Sequence, residues 1–142
     1  MGKLLQRLQD PSKSGVYRAR REDELADAVR GSTLDLATIS LSGIRDKPEL
    51  LKRIAATLAF PQWFGENWDA LEDCLTDFSW RPAQGHVLLF ENFQTLAKDD
   101  LGVLIDVLAS AAQFWATQGT PFFALFVDPA RDLALADLFR EA

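Results

Sequence analysis

His86-Val87-Leu88-Leu89-Phe90 is a nearly continuous apolar run, closed by Glu91-Asn92-Phe93. A run of this length is far short of the roughly 20 residues of a membrane span, but it suits a strand covered on both faces, as in parallel sheets. Phe122-Phe123-Ala124-Leu125-Phe126-Val127 repeats the pattern and is punctuated by Asp128-Pro129. Between the two runs, Leu101, Leu104, Ile105, Leu108, Ala111, Ala112 and Trp115 recur at helical spacing from Lys98 to Gln118, and Gly119 follows as a C-terminal stop. Strand, long helix and strand in that order predict a right-handed parallel crossover and an α/β fold.

Working outward, Leu34 to Leu41 alternates as a strand does, with Leu34, Leu36, Thr38 and Ser40 on one face. A helix opens near Asp46-Lys47-Pro48, where the missing proline N–H is harmless. Its apolar stripe is Leu50, Leu51, Ile54, Ala55 and Leu58. Val16 to Ala19 reads as a short strand, and Glu22 to Arg30 as a helix stopped by Gly31. The turn formers Asp10-Pro11-Ser12-Lys13-Ser14-Gly15 predict that residues 1–14 are a flexible leader, leaving 15–142 as a single α/β domain. A final short helix is predicted from Ala130 to Arg140.

The chain has 142 residues, about one domain's worth, and its 48% apolar and 25% charged composition is that of a globular protein. Its N-terminus lacks the apolar segment of a secretory signal, which predicts a cytoplasmic protein. One cysteine and one histidine cannot close a four-ligand zinc site of nitrogen and sulfur. The formal charge of −6 argues against nucleic-acid binding, which rests on a basic surface. That charge is unevenly placed: residues 1–33 sum to +2, residues 34–59 to +1 and residues 60–142 to −9.

The excess concentrates where a helix is predicted from the N-cap residue Asn67 to about Asp77. Trp68, Leu71, Leu75 and Phe78 fall on one side of it, with Cys74 at the border. On a wheel, Glu66, Asp69, Asp73 and Asp77 span only about 80° of the opposite side, with Glu72 about 60° beyond Asp69. No Lys or Arg lies between Arg53 and Arg81 to relieve them. The helix dipole favours acid in a first turn but not at Asp73 or Asp77. Phe60, Trp63 and Phe64 precede the helix in a loop that one helix face cannot wholly bury. An accessible aromatic beside unpaired carboxylates is the composition of a surface that takes Arg or Lys from a partner, while the same residue types also suit core aromatics beside a solvated acidic face.

The stretch Phe60-Pro61-Gln62-Trp63-Phe64-Gly65-Glu66-Asn67-Trp68-Asp69-Ala70-Leu71-Glu72-Asp73-Cys74-Leu75-Thr76 resembles the signature of the barstar family of ribonuclease inhibitors, with Phe60 in place of a leading Leu. The resemblance extends more weakly from Leu34 to Val127, leaving the N-terminal strand and helix as additions. It implies a small, mostly parallel sheet packed by helices, and a protein that blocks the basic active site of a ribonuclease without doing chemistry. The partner-binding residues it implies are Trp63, Phe64, Gly65, Glu66, Asn67, Asp69, Glu72 and Asp73. Among these, Asp73 matches the family's dominant carboxylate, which takes the place of a substrate phosphate, and Asp69 matches the second acidic contact. Trp63 matches an aromatic that stacks on the enzyme, Gly65 would let the loop backbone approach closely, and Asn67 would cap the helix. Two positions depart from the pattern. Glu72 stands where the type member has an aromatic, and the long helix offers Ser110 or Phe114 where the type member adds another acid.

Other readings are a regulator or scaffold that uses the same surface on a different basic protein, and a carboxylate-based metal enzyme using Glu66, Asp69 and Asp73. The second lacks ligands from several elements and a phosphate-binding glycine loop, so no metal or cofactor is predicted. Cys74 with His86 is a poor nucleophile pair, because acidic neighbours raise a thiol pKa. Trp68, Trp80 and Trp115 read as core residues. Tyr17 and Arg18 carry no functional signal.

Overall fold

The computed structural model describes residues 2–61 and 65–138. Among these residues, four strands, β1 (Gly15–Ala19), β2 (Asp35–Ser40), β3 (His86–Glu91) and β4 (Phe122–Val127), form one sheet in the order β1-β4-β3-β2. Every pairing is parallel, with Gly15 opposite Phe123, His86 opposite Phe122 and Asp35 opposite His86. The apolar runs that announced β3 and β4 are the two central strands, so both of their faces are covered.

Among the described residues, five helices cover the sheet: α1 (Lys3–Leu8), α2 (Glu22–Val29), α3 (Lys47–Leu58), α4 (Trp68–Leu75) and α5 (Lys98–Thr117). The chain crosses from β1 to the far edge through α2, then returns through β3 and β4. Right-handed crossovers run in opposite directions along a sheet must lie on opposite faces. Accordingly α1 and α2 pack Leu8, Leu25 and Val29 against Val87, Leu89, Phe123 and Leu125. On the other face α3, α4 and α5 pack Leu51, Ile54, Leu71, Leu75, Leu104 and Leu108 against Leu88, Phe90, Ala124 and Phe126. No helix among the described residues is long and apolar enough to cross a membrane.

Local chemistry sets the boundaries. Asp46 caps α3 by accepting from the Glu49 N–H at 3.3 Å, and Pro48 sits in the first turn. The helix ends at Ala59, which takes the left-handed conformation (φ 53°) usually given to glycine.

Two segments differ from the sequence expectation. Within the stretch predicted as a flexible leader, Leu5 and Leu8 at i, i+3 are buried on α1, and Leu8 reaches the core beneath β4. The turn formers that follow make a 3₁₀ turn, in which Asp10 Oδ1 accepts from both the N–H and hydroxyl of Ser12. Ser14 Oγ accepts from the Phe122 N–H at 3.0 Å and fastens this turn to β4. The helix predicted for Ala130–Arg140 does not form in its described part. Asp128 is buried, and its two oxygens accept from the N–H groups of Asp132 and Leu133. The chain then runs beside β1, with Arg18 N–H donating to Ala136 O and Leu138 N–H to Arg18 O, so these backbone groups are spent on a strand neighbour.

Candidate functional site

Asn67 begins α4 as the sequence predicts, its side-chain oxygen accepting from the Ala70 N–H at 2.7 Å. The helix stops sooner than predicted, at Leu75, and Phe78 turns left-handed (φ 52°). That turn lets the Phe78 ring bury itself and stack on His86 at 4.3 Å between centroids. Leu71, Cys74, Leu75 and Phe78 are buried; Cys74 is fully covered, not at a border. Trp68, Trp80 and Trp115 are half-buried and pack on the edge of the core.

The early stop changes the acidic face. Asp69, Glu72 and Asp73 ride on α4 itself: Asp69 and Asp73 are exposed, and Glu72 is half-exposed. Glu66 and Asp77 are exposed but flank the helix, Glu66 in a left-handed turn (φ 54°) before the cap. The wheel that grouped all five therefore holds only for three. Among the described residues, no Lys, Arg or His forms an ion pair with any of the five. Gly65 is exposed and close to its own chain, where an added Cβ would lie 3.3 Å from Asn67 Nδ2. Trp63 and Phe64 lie outside the described residues. The third loop aromatic, Phe60, is half-buried and meets the Trp80 ring edge-on at 5.8 Å.

The field of these carboxylates reaches inward. The Cys74 thiol is pushed up to about 11, first by burial and then by the charges of Asp73 and Asp77, so it is a protonated core group and no nucleophile. His86 is buried too. Burial holds its pKa below the usual histidine value, Arg81 pushes the same way, and Asp35, whose Oδ2 is 3.6 Å from Nδ1, opposes both. Cys74 faces inward from α4 and is fully buried, while His86 stacks on Phe78 beside the Asp35–Arg81 ion pair. No group of three His, Cys, Asp or Glu side chains among the described residues is placed to hold a metal ion.

A small parallel sheet packed by helices is the fold that the signature implies. The sequence model described as Barstar (barnase inhibitor) matches residues 34–127. The chain belongs to the Barstar family. The match begins one residue before β2 and ends with β4, so α1, β1, α2 and the segment after β4 are additions to the family's portion. No curated protein matches the sequence. Among solved structures, the crystal structure of Cdc6p from Pyrobaculum aerophilum superposes with a TM-score of 0.57 at 15% identity, over 92% of this chain and 40% of that one. The ORC2 protein of Aeropyrum pernix, solved as ADPNP-ADP complexes, follows at 0.49 and 15% identity, over 88% of this chain and 35% of that one. The chain thus spans less than half the length of either structure, and the first likeness is one of fold alone.

Sequence reasoning missed one cluster. Arg18, assigned no role, is bound through Nε and Nη2 to Asp137 Oδ1 at 3.0 and 2.8 Å and through Nη1 to Leu133 O at 2.8 Å. The available signal was Arg18-Ala19-Arg20-Arg21, a basic run leaving a strand in an acidic chain.

Proposed function

We propose that this chain is an inhibitor of a ribonuclease, docking α4 and the loop before it into the enzyme's basic active-site cleft. One observation carries the reading: Asp69, Glu72 and Asp73 project from one rigid helix with no internal cation among the described residues. Like charges on adjacent turns cost about 0.2–0.5 kcal/mol per pair. That cost is recovered when a cationic cleft supplies the counter-charge in a place that water has left. Asp69 lies in the first turn, where the helix dipole already compensates it; Asp73 lies beyond that reach and offers the larger uncompensated charge. Trp63 would stack on the enzyme, as the family resemblance implies.

The test is a titration of ribonuclease activity, with association followed at several salt concentrations. Inhibition should be stoichiometric and association fast and slowed by salt. Asp73→Ala should weaken binding by about 2 kcal/mol or more, and by more than Asp69→Ala, as a central charged contact does. Retention of full inhibition by both variants would falsify the assignment. A pulldown that captures a basic protein with no ribonuclease activity would favour the regulator reading of the same surface.

A further inference from the structure

A cleft of about 860 Å³ opens at the carboxyl ends of β1 and β4. Every described residue lining it lies outside 34–127, in the additions to the Barstar portion. None of its lining residues belongs to α4, whose C-terminal end leads to Phe78, stacked on His86 at the start of β3. Its size is that of small-molecule sites, about 300–1,000 Å³. In open parallel sheets such ligands sit beyond the carboxyl ends of the strands, where crossovers leave for opposite faces. Here the cleft lies beyond the carboxyl ends of β1 and β4, beside the crossover that leaves β1 through α2.

The lining is cationic in an acidic chain: Lys3, Arg18, Arg20, Arg21 and Arg131 against Glu24, Asp128 and Asp137. Two of those acids are spent within the wall. Asp128 accepts from two backbone N–H groups, and Asp137 accepts from Arg18 and, at 3.3 Å, from Arg131. The Arg18 side chain, 10% exposed, is locked in place and forms a rigid wall. Arg21 pairs with Asp23. Lys3 and Arg20 are exposed, and neither has an ion pair among the described residues. Glu24 adds an exposed carboxylate, an acceptor for hydroxyl groups.

We propose that this cleft binds a small phosphate-bearing molecule carrying hydroxyl groups, with Lys3 and Arg20 on the phosphate and Glu24 on a hydroxyl. Guanidinium and ammonium donors match phosphate oxygens by charge and by hydrogen-bond geometry. The site does not depend on the reading of α4.

The test is calorimetric titration of the full chain with ribose 5-phosphate and, in a second arm, with inorganic phosphate. Saturable binding of either probe, weakened at least tenfold in a Lys3→Glu, Arg20→Glu double variant, is the expected result. Tighter binding of ribose 5-phosphate, lost selectively in Glu24→Gln, assigns the hydroxyl contact. Because all three residues are exposed, circular dichroism and Tm of the variants should match the parent. Absence of saturable binding by both probes, or equal binding by the parent and a folded double variant, would overturn the proposal.

Discussion

The indole Nε1 of Trp115 donates to the carbonyl oxygen of Leu75 at 2.7 Å, joining the last turn of α5 to the last turn of α4. The final carbonyls of a helix have no partner within it, and this one is satisfied by a side chain 40 residues away. The acidic helix is thereby held at its C-terminal end by α5 and at its N-terminal end by the Asn67 cap.

Removing either fastening should loosen α4. Trp115→Phe keeps a ring but leaves the Leu75 carbonyl unbonded, at a cost of about 1–3 kcal/mol. Asn67→Ala should cost about 0.5–2 kcal/mol through loss of the cap. Urea denaturation reads both, and a midpoint unchanged in both variants would show that α4 is held by apolar packing alone.

The Cys74 thiol is covered by the core and its pKa lies at about 11. Iodoacetamide at pH 8 should therefore leave the native protein unmodified while alkylating it rapidly in 6 M guanidinium. Stoichiometric labelling without denaturant would contradict the packing of α4 against the sheet.

His86 makes folding sensitive to mild acid. Its folded pKa lies below the ordinary value of 6.5, so protons bind the unfolded chain more readily. The stability this group contributes is present in full above 6.5 and drains away as pH falls from there toward the folded pKa. Tm should drop between pH 7.5 and 5.5, and the drop should be smaller in His86→Phe, which keeps an aromatic ring against Phe78. Equal slopes in parent and variant would assign the acid sensitivity to other groups.

Ala59 pays for a left-handed backbone without glycine's freedom. Ala59→Gly should raise stability by about 0.5–1 kcal/mol, since the strain relieved exceeds the entropy added to the unfolded chain. A lower Tm would mean that the Ala59 methyl contributes packing that outweighs the strain.

Hydrophobic period announced β2, β3, β4 and α5 within two residues of their ends, because burial on one face or on both leaves a direct imprint on residue order. The signature around Asp73 was legible for a similar reason: a dense local run of residue types needs no tertiary knowledge. What failed was of another kind. Asp77 was placed on a helix face because periodicity continues past Leu75, whereas the Phe78 ring is drawn into the core against His86 and ends the helix. Leu5 and Leu8 were hidden by the turn formers that follow them, and only the packed sheet offers the surface that makes α1 worthwhile.

Residue order by itself thus determined the alternation of strands and helices, the two-sided burial of the central strands and the concentration of negative charge in one segment. These are properties of near neighbours along the chain. The order β1-β4-β3-β2, the pairing of Arg18 with Asp137 across 119 positions, and the gathering of Lys3, Arg20 and Glu24 around one cleft were decided only in three dimensions. Contacts between residues so distant leave no periodic mark on either partner, and they become favourable only once the hydrophobic sheet has brought the segments together.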